Sequence, residues 1–168
     1  MNSSSIYVRT PLIESIPLRE YLPRGQSIFL KLENTQPSGS FKVRGVSEVC
    51  RHAQSLGYST MVCASSGNAG LATAHSARAL GLRCHIVVFR AIPEEVRAKI
   101  RALGATVEEH GTVWDETYQR ALEITTGSKE KFLVHPFDHP LLWKGHSTIV
   151  HEIQEDLRGQ GKFEQISF

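Results

Sequence analysis

No stretch of this sequence is apolar over the length needed to cross a membrane. The opening Met1-Asn2-Ser3-Ser4-Ser5 is polar and has no hydrophobic leader segment, so no secretory signal is expected. Cysteine is scarce: Cys50, Cys63 and Cys84 are odd in number, and no CxxC spacing occurs. Cys63 and Cys84 fall in apolar, strand-like runs, where a free thiol behaves as a small buried hydrophobe. That usage speaks against a disulfide framework and for a reducing compartment, the cytoplasm. Basic residues are scattered and the net charge is only +2, so nothing marks nucleic acid or a membrane surface as a partner. The eight histidines show no ligand spacing. His135 and His139 come nearest to one, but Pro136 and Pro140 break any helix that would align them, and no metal site is expected. Also absent are a G-x-G-x-x-G fingerprint, a G-x-S-x-G elbow and any run of four glycines.

What is present is an ordinary globular composition: 168 residues, 40% apolar and 21% charged, enough for a domain with its own core. Ordered structure is expected from Thr10-Pro11-Leu12, with a short strand at Ile28–Leu32. After a loop over 34–39, Ser40 is a plausible N-cap for a helix from Phe41 to Ser55, ended by Gly57. A regular alternation follows. Strands are expected at Thr60–Ala64, Cys84–Phe89, Thr106–Glu108 and Phe132–Val134. Helices are expected at Ala69–Leu80, Pro93–Leu103 and Val113–Thr125, the last with Trp114, Tyr118, Ala121 and Leu122 on one face. A final helix is expected over His146–Leu157. This order implies right-handed βαβ units and a parallel sheet with helices on both faces, an α/β fold. The first strand and the Phe41 helix precede that unit, so a compact subdomain over residues 55–138 is expected between segments 1–54 and 139–168.

Three stretches could carry chemistry. Lys42 stands where the loop Gln36-Pro37-Ser38-Gly39-Ser40 runs into a helix. A helix start disfavours a cation, and a neutral lysine amine is what Schiff-base chemistry requires. The turn Ser65-Ser66-Gly67-Asn68-Ala69-Gly70 follows a strand and opens a helix. Its backbone N–H groups can meet an anion, and the Asn68 amide can both donate and accept. The third stretch, His135 to His146, is a loop rich in proline and aromatic residues at a strand end.

Together these stretches resemble a known family. Ser38-Gly39-Ser40-Phe41-Lys42-Val43-Arg44-Gly45 looks like the cofactor-lysine motif of the pyridoxal-phosphate serine/threonine dehydratases, in the fold group that also holds tryptophan synthase β. Ser65–Gly70 is similar to that family's Asn-containing turn. His135–Ser147 resembles the liver-type and fungal L-serine dehydratase branch. The resemblance covers Ile6 to Leu157. It implies that Lys42 holds pyridoxal 5'-phosphate and later removes the substrate Cα proton, that Phe41 packs on the cofactor ring, and that Asn68 meets its 3-hydroxyl oxygen. It implies that Ser65, with Ser66, Gly67 and Asn68, receives the substrate carboxylate. The activity implied is β-elimination from L-serine, with L-threonine as a further candidate, giving a keto acid and ammonia. Full-length members of the family are expected to be homodimers.

Two departures qualify the match. Many relatives have Ala or Gly where Ser66 stands, which bears on pocket size and on the choice between serine and threonine. The family is also about twice as long, ordinary for a two-subdomain enzyme. The chain is therefore expected to be an N-terminal half lacking the C-terminal part of the larger subdomain and its glycine-rich phosphate loop, with Phe163–Phe168 leading toward that loop. As such it is expected to be weakly stable alone, with little dehydratase activity. The alternatives are an inactive or regulatory module that pairs with full-length relatives, and another enzyme of the same fold group, such as threonine synthase.

Overall fold

The computed structural model describes residues 5–159. The Phe163–Phe168 stretch lies outside them. A small antiparallel pair comes first: β1 (Leu12–Glu14) and β2 (Phe29–Lys31), with the short helix α1 (Ile16–Arg19) between them. Ser15 caps α1 by accepting from the Leu18 N–H, and Pro17 sits in its first turn. A 3-10 turn at Glu33–Thr35 leads to α2 (Lys42–Ser55).

Then come β3 (Thr60–Ala64), α3 (Asn68–Ala79), β4 (Arg83–Val88), α4 (Glu94–Ala102), β5 (Thr106–Glu109), α5 (Trp114–Thr125), β6 (Lys131–Leu133) and α6 (Pro140–Gly159). The four later strands form one parallel sheet in the order β5-β4-β3-β6. All five residues of β3 are buried, as a central strand covered on both faces demands. Met61, Cys63, Ile86 and Val88 join the core shared with α2, α3 and α4. Val62, Ala64 and Val87 face the other way, onto Ala121 of α5. The doubly covered α/β sheet expected from the alternation is therefore present.

Boundaries mostly lie within a residue or two of the sequence-based expectation, and the exceptions have local causes. Ser40 does not cap α2. Phe41 before it is already helical (φ −58°, ψ −19°) and no side chain accepts from the helix start. The Ser40 hydroxyl is instead buried without a partner among the described residues. The last helix begins at Pro140 rather than His146. Proline is tolerated in a first turn, and the His139 Nδ1 accepts from the Leu141 N–H at 3.1 Å, so the Pro-rich loop ends in a cap. The expected Ile28–Leu32 strand narrows to Phe29–Lys31, and the short β1 partner was not foreseen.

Helices α2 and α6 cross at two glycines. A methyl group on Gly145 would lie 2.5 Å from the Arg44 carbonyl oxygen and from Gly45 Cα. The contact is fastened by Arg44, whose side chain is fully buried. Its Nε and Nη2 donate to the two Glu33 carboxylate oxygens, each at 2.8 Å. Its Nη1 and Nη2 reach the Glu152 oxygens of α6 at 2.7 and 2.9 Å. The Tyr7 ring lies 5.0 Å from the guanidinium carbon. Lys31 of β2 adds a second cation, 2.8 Å from Glu152.

Removing one partner of a buried ion pair strands the others, so Arg44→Ala is expected to lower unfolding free energy by about 3–5 kcal/mol in urea titrations. The same cluster sets an acid limit. Burial acts to raise the carboxyl pKa values of Glu33 and Glu152, but hydrogen bonds and charge from Arg44, with Lys31 at Glu152, outweigh it and hold both below the ordinary 4.5. A depressed native pKa contributes stability that is complete above the unfolded value and lost as pH falls through the native one. Urea midpoints are therefore expected to fall as the pH is taken below 4.5, and to fall less steeply in Arg44→Ala.

Candidate active site

Lys42 is the first residue of α2, on the side of the helix turned to the sheet's carboxyl edge. Its Nζ donates to the Pro136 carbonyl at 3.0 Å. Pro136 follows β6, the neighbour of β3. Val62 of β3 pairs with Leu133 of β6, and Ser65 and Pro136 follow the carboxyl ends of these two strands. The Lys42 amine therefore bonds the chain just past the carboxyl end of one strand, and the Ser65 turn follows the carboxyl end of its parallel neighbour, the edge where open α/β sheets bind their ligands.

The electrostatics favour a neutral amine. Burial pulls the Lys42 pKa below the ordinary 10.5, with only a small opposing effect from Cys63. The buried Cys63 thiol is itself pushed up to about 12, so no thiolate is present to hold the ammonium. No ion pair of Lys42 occurs among the described residues. The helix start acts in the same direction.

The turn is built to expose donors. Ser65 N–H completes the ladder to Val87, and the Ser65 Oγ accepts from Gly67 N–H at 3.3 Å. The first bond inside α3 runs from Leu71 N–H to the Gly67 carbonyl, which leaves the N–H groups of Asn68, Ala69 and Gly70 without intrahelical partners. Asn68 and Gly67 are exposed, while Ser66 is half-buried and its hydroxyl has no partner among the described residues. Gly70 is required sterically, because a methyl group there would collide with the Ser65 carbonyl oxygen.

Phe41 is partly exposed beside this edge. Its ring centroid lies 5.2 Å from Lys42 Nζ and meets the His146 ring edge-on at 5.0 Å. Neither His146 nitrogen finds a hydrogen bond among the described residues. Burial, helped by the Lys42 and Arg44 charges, pushes its pKa down to about 4, so the imidazole is neutral.

All six residues singled out in the sequence, Phe41, Lys42, Ser65, Ser66, Gly67 and Asn68, stand on these two elements. Three contributors were not singled out: the Pro136 carbonyl, the neutral His146 and the buried Arg44. Helical spacing carried no signal for Arg44, since its neighbours at that spacing, Ser47, Glu48 and Arg51, read as a solvated face. No metal-binding group of His, Cys, Asp or Glu occurs among the described residues, and no helix there is long and apolar enough to cross a membrane.

The residues present fit pyridoxal phosphate. An amine biased toward neutrality stands beside free helix-start N–H groups, and orphaned polar atoms on Ser66 and His146 await partners.

Comparison with known proteins agrees. The pattern of the family described as pyridoxal-phosphate dependent enzyme matches residues 4–166. The chain is 41% identical over 153 residues to the mouse L-serine dehydratase/L-threonine deaminase, a match spanning 91% of this chain and 46% of that protein. It is 43% identical over 152 residues to the human serine dehydratase-like protein, covering 90% of this chain and 45% of the relative. The crystal structure of a fungal L-serine ammonia-lyase from Rhizomucor miehei superposes with a TM-score of 0.83 at 36% identity, covering 92% of this chain and 49% of that one. The chain thus spans about half the length of the curated relatives it matches. On its fold, its lysine-bearing helix and these matches, the chain belongs to the pyridoxal-phosphate dependent enzymes.

Proposed function

We propose that the protein carrying this chain is an L-serine dehydratase, an ammonia-lyase that releases pyruvate and ammonia from L-serine and also acts on L-threonine. The observation that carries the reading is the Lys42 amine, half-buried, drawn toward neutrality and held by the Pro136 carbonyl beside the Ser65–Asn68 turn. The relatives named L-serine dehydratase/L-threonine deaminase support the choice of substrate.

Each residue has a part in this reading. The turn binds the substrate carboxylate through the N–H groups of the α3 start and the Ser65 side, which orients the Cα–H bond toward Lys42. Lys42 Nζ, in its neutral form, takes the Cα proton. Pyridoxal phosphate, when bound, supplies the electron sink for the charge left at Cα. The β-hydroxyl departs with a proton as water, and a water molecule is taken up again when the nitrogen leaves as ammonia. Asn68 and Phe41 orient the cofactor ring, and Lys42 anchors it. His146 stays neutral behind Phe41 and puts no positive charge of its own beside Lys42. A cytoplasmic setting accords with three free, buried cysteines.

Two measurements test this. With the cofactor absent, NMR titration of the Lys42 ammonium is expected to give a pKa below the ordinary 10.5. An ordinary or raised value would remove the physical basis for Lys42 as the base. Supplied with pyridoxal phosphate and L-serine, the protein is expected to form pyruvate and ammonia in equal amounts, and Lys42→Ala to lose at least about 10²-fold of that rate. A new amino acid in place of the keto acid would point to a replacement enzyme.

A further inference from the structure

The ladder between β3 and β6 ends for a covalent reason. The Val134 N–H donates to the Val62 carbonyl at 2.7 Å, and the pairing of Val62 with Leu133 makes residue 136 the next donor, to the Ala64 carbonyl. Residue 136 is proline and has no N–H. Ala64 is fully buried, so its carbonyl needs a partner from elsewhere. Trp114, the first residue of α5, supplies it: its indole Nε1 donates to Ala64 O at 3.1 Å.

The same indole touches the other half of the site. It stacks on Tyr118 at 4.9 Å and packs against Phe137 at 5.4 Å. The loop around Phe137 is shaped by His135, whose Nδ1 accepts from the Phe137 and Asp138 N–H groups at 3.3 and 2.8 Å. Between them lies Pro136, whose carbonyl is free of the ladder and receives Lys42. One aromatic side chain thus holds the residue before Ser65 and the residue after Pro136.

We propose that Trp114 is a positioning residue that ties the Ser65–Asn68 turn to the loop holding Lys42, by standing in for the N–H that Pro136 lacks. Its consequence for substrate rests on the reading of the turn given above. Trp114 does not touch the substrate; it acts through Ala64 and Phe137.

Amide hydrogen exchange on the full chain tests the tie without any ligand. Trp114→Phe keeps the ring and removes the donor, and exchange at the Ser65 amide, the one in the turn protected by its bond to Val87, is expected to quicken roughly tenfold while Ile86 and Val88 stay unchanged. Adding Pro136→Ala restores a backbone N–H opposite Ala64 and is expected to reverse the change, which a role of ring bulk alone would not allow. Unchanged exchange at the turn, equal quickening across the sheet, or failure of Pro136→Ala to reverse the effect would each overturn the proposal. Should Trp114→Phe not fold, Pro136→Ala alone decides: a second donor to Ala64 should slow exchange at the turn, and no slowing would overturn it. In parallel, glycine, which has the carboxylate but nothing to eliminate, is titrated against the pyridoxal phosphate-loaded protein while the Gly67 and Asn68 amides are followed. Half-saturation is expected to need roughly tenfold more glycine in Trp114→Phe. No saturable shift at those amides in the unaltered protein would overturn the carboxylate reading of the turn, while exchange still decides the tie.

Discussion

One buried guanidinium holds the arrangement together. Arg44 sits two residues beyond Lys42, fully buried, between the carboxylates of Glu33 and Glu152. A cation there is tolerable only if paired and hydrogen-bonded, so the segment before α2 and the helix α6 must both come to it. Gln36 extends the same tie outward by bonding both the N–H and the carbonyl of Val8. The net gain in stability from such a cluster is modest, because desolvation offsets most of the attraction. Its effect is geometric: α2 has one position in which Arg44 is satisfied, and Lys42 is one half-turn away.

The crossing of α2 and α6 at Gly45 and Gly145 follows from that constraint. Two of the four charge-assisted bonds of Arg44, at 2.7 and 2.9 Å, run to Glu152 of α6, and where the two helices cross only glycine leaves room for the backbones. The close approach also sets His146 against Phe41 and within electrostatic reach of Lys42. The helix that Lys42 opens is thereby clamped in its first turn, and no carboxylate among the described residues pairs with the amine.

Much of this was legible in the chain. Short, near-continuous apolar runs located the later strands and the 3.6-residue period the helices, because both patterns are local. The Lys42 loop and the Ser65–Gly70 turn stood out because glycine, serine and asparagine at a strand or helix end have few structural alternatives. The exceptions were non-local. Ser40 reads as a cap by residue type, yet the helical backbone of Phe41 removes the geometry a cap needs. Pro140 reads as a breaker, yet it opens α6 once His139 provides the cap. The β1–β2 pair is too short for any period to reveal.

The sequence by itself determined the alternation of strands and helices, the burial of the parallel sheet, and the placement of Lys42 and the Ser65 turn at the starts of two helices. These depend on local periodicity, turn chemistry and the missing N–H of proline, all carried by a few consecutive residues. Tertiary structure alone decided what the amine faces. The Pro136 carbonyl lies 94 positions from Lys42 in the chain, Glu152 lies 108 from Arg44, and Trp114 lies 50 from Ala64. Contacts of that separation form only when the sheet register and the helix crossing bring them within hydrogen-bond range, and they set the Lys42 amine against a backbone carbonyl instead of a carboxylate.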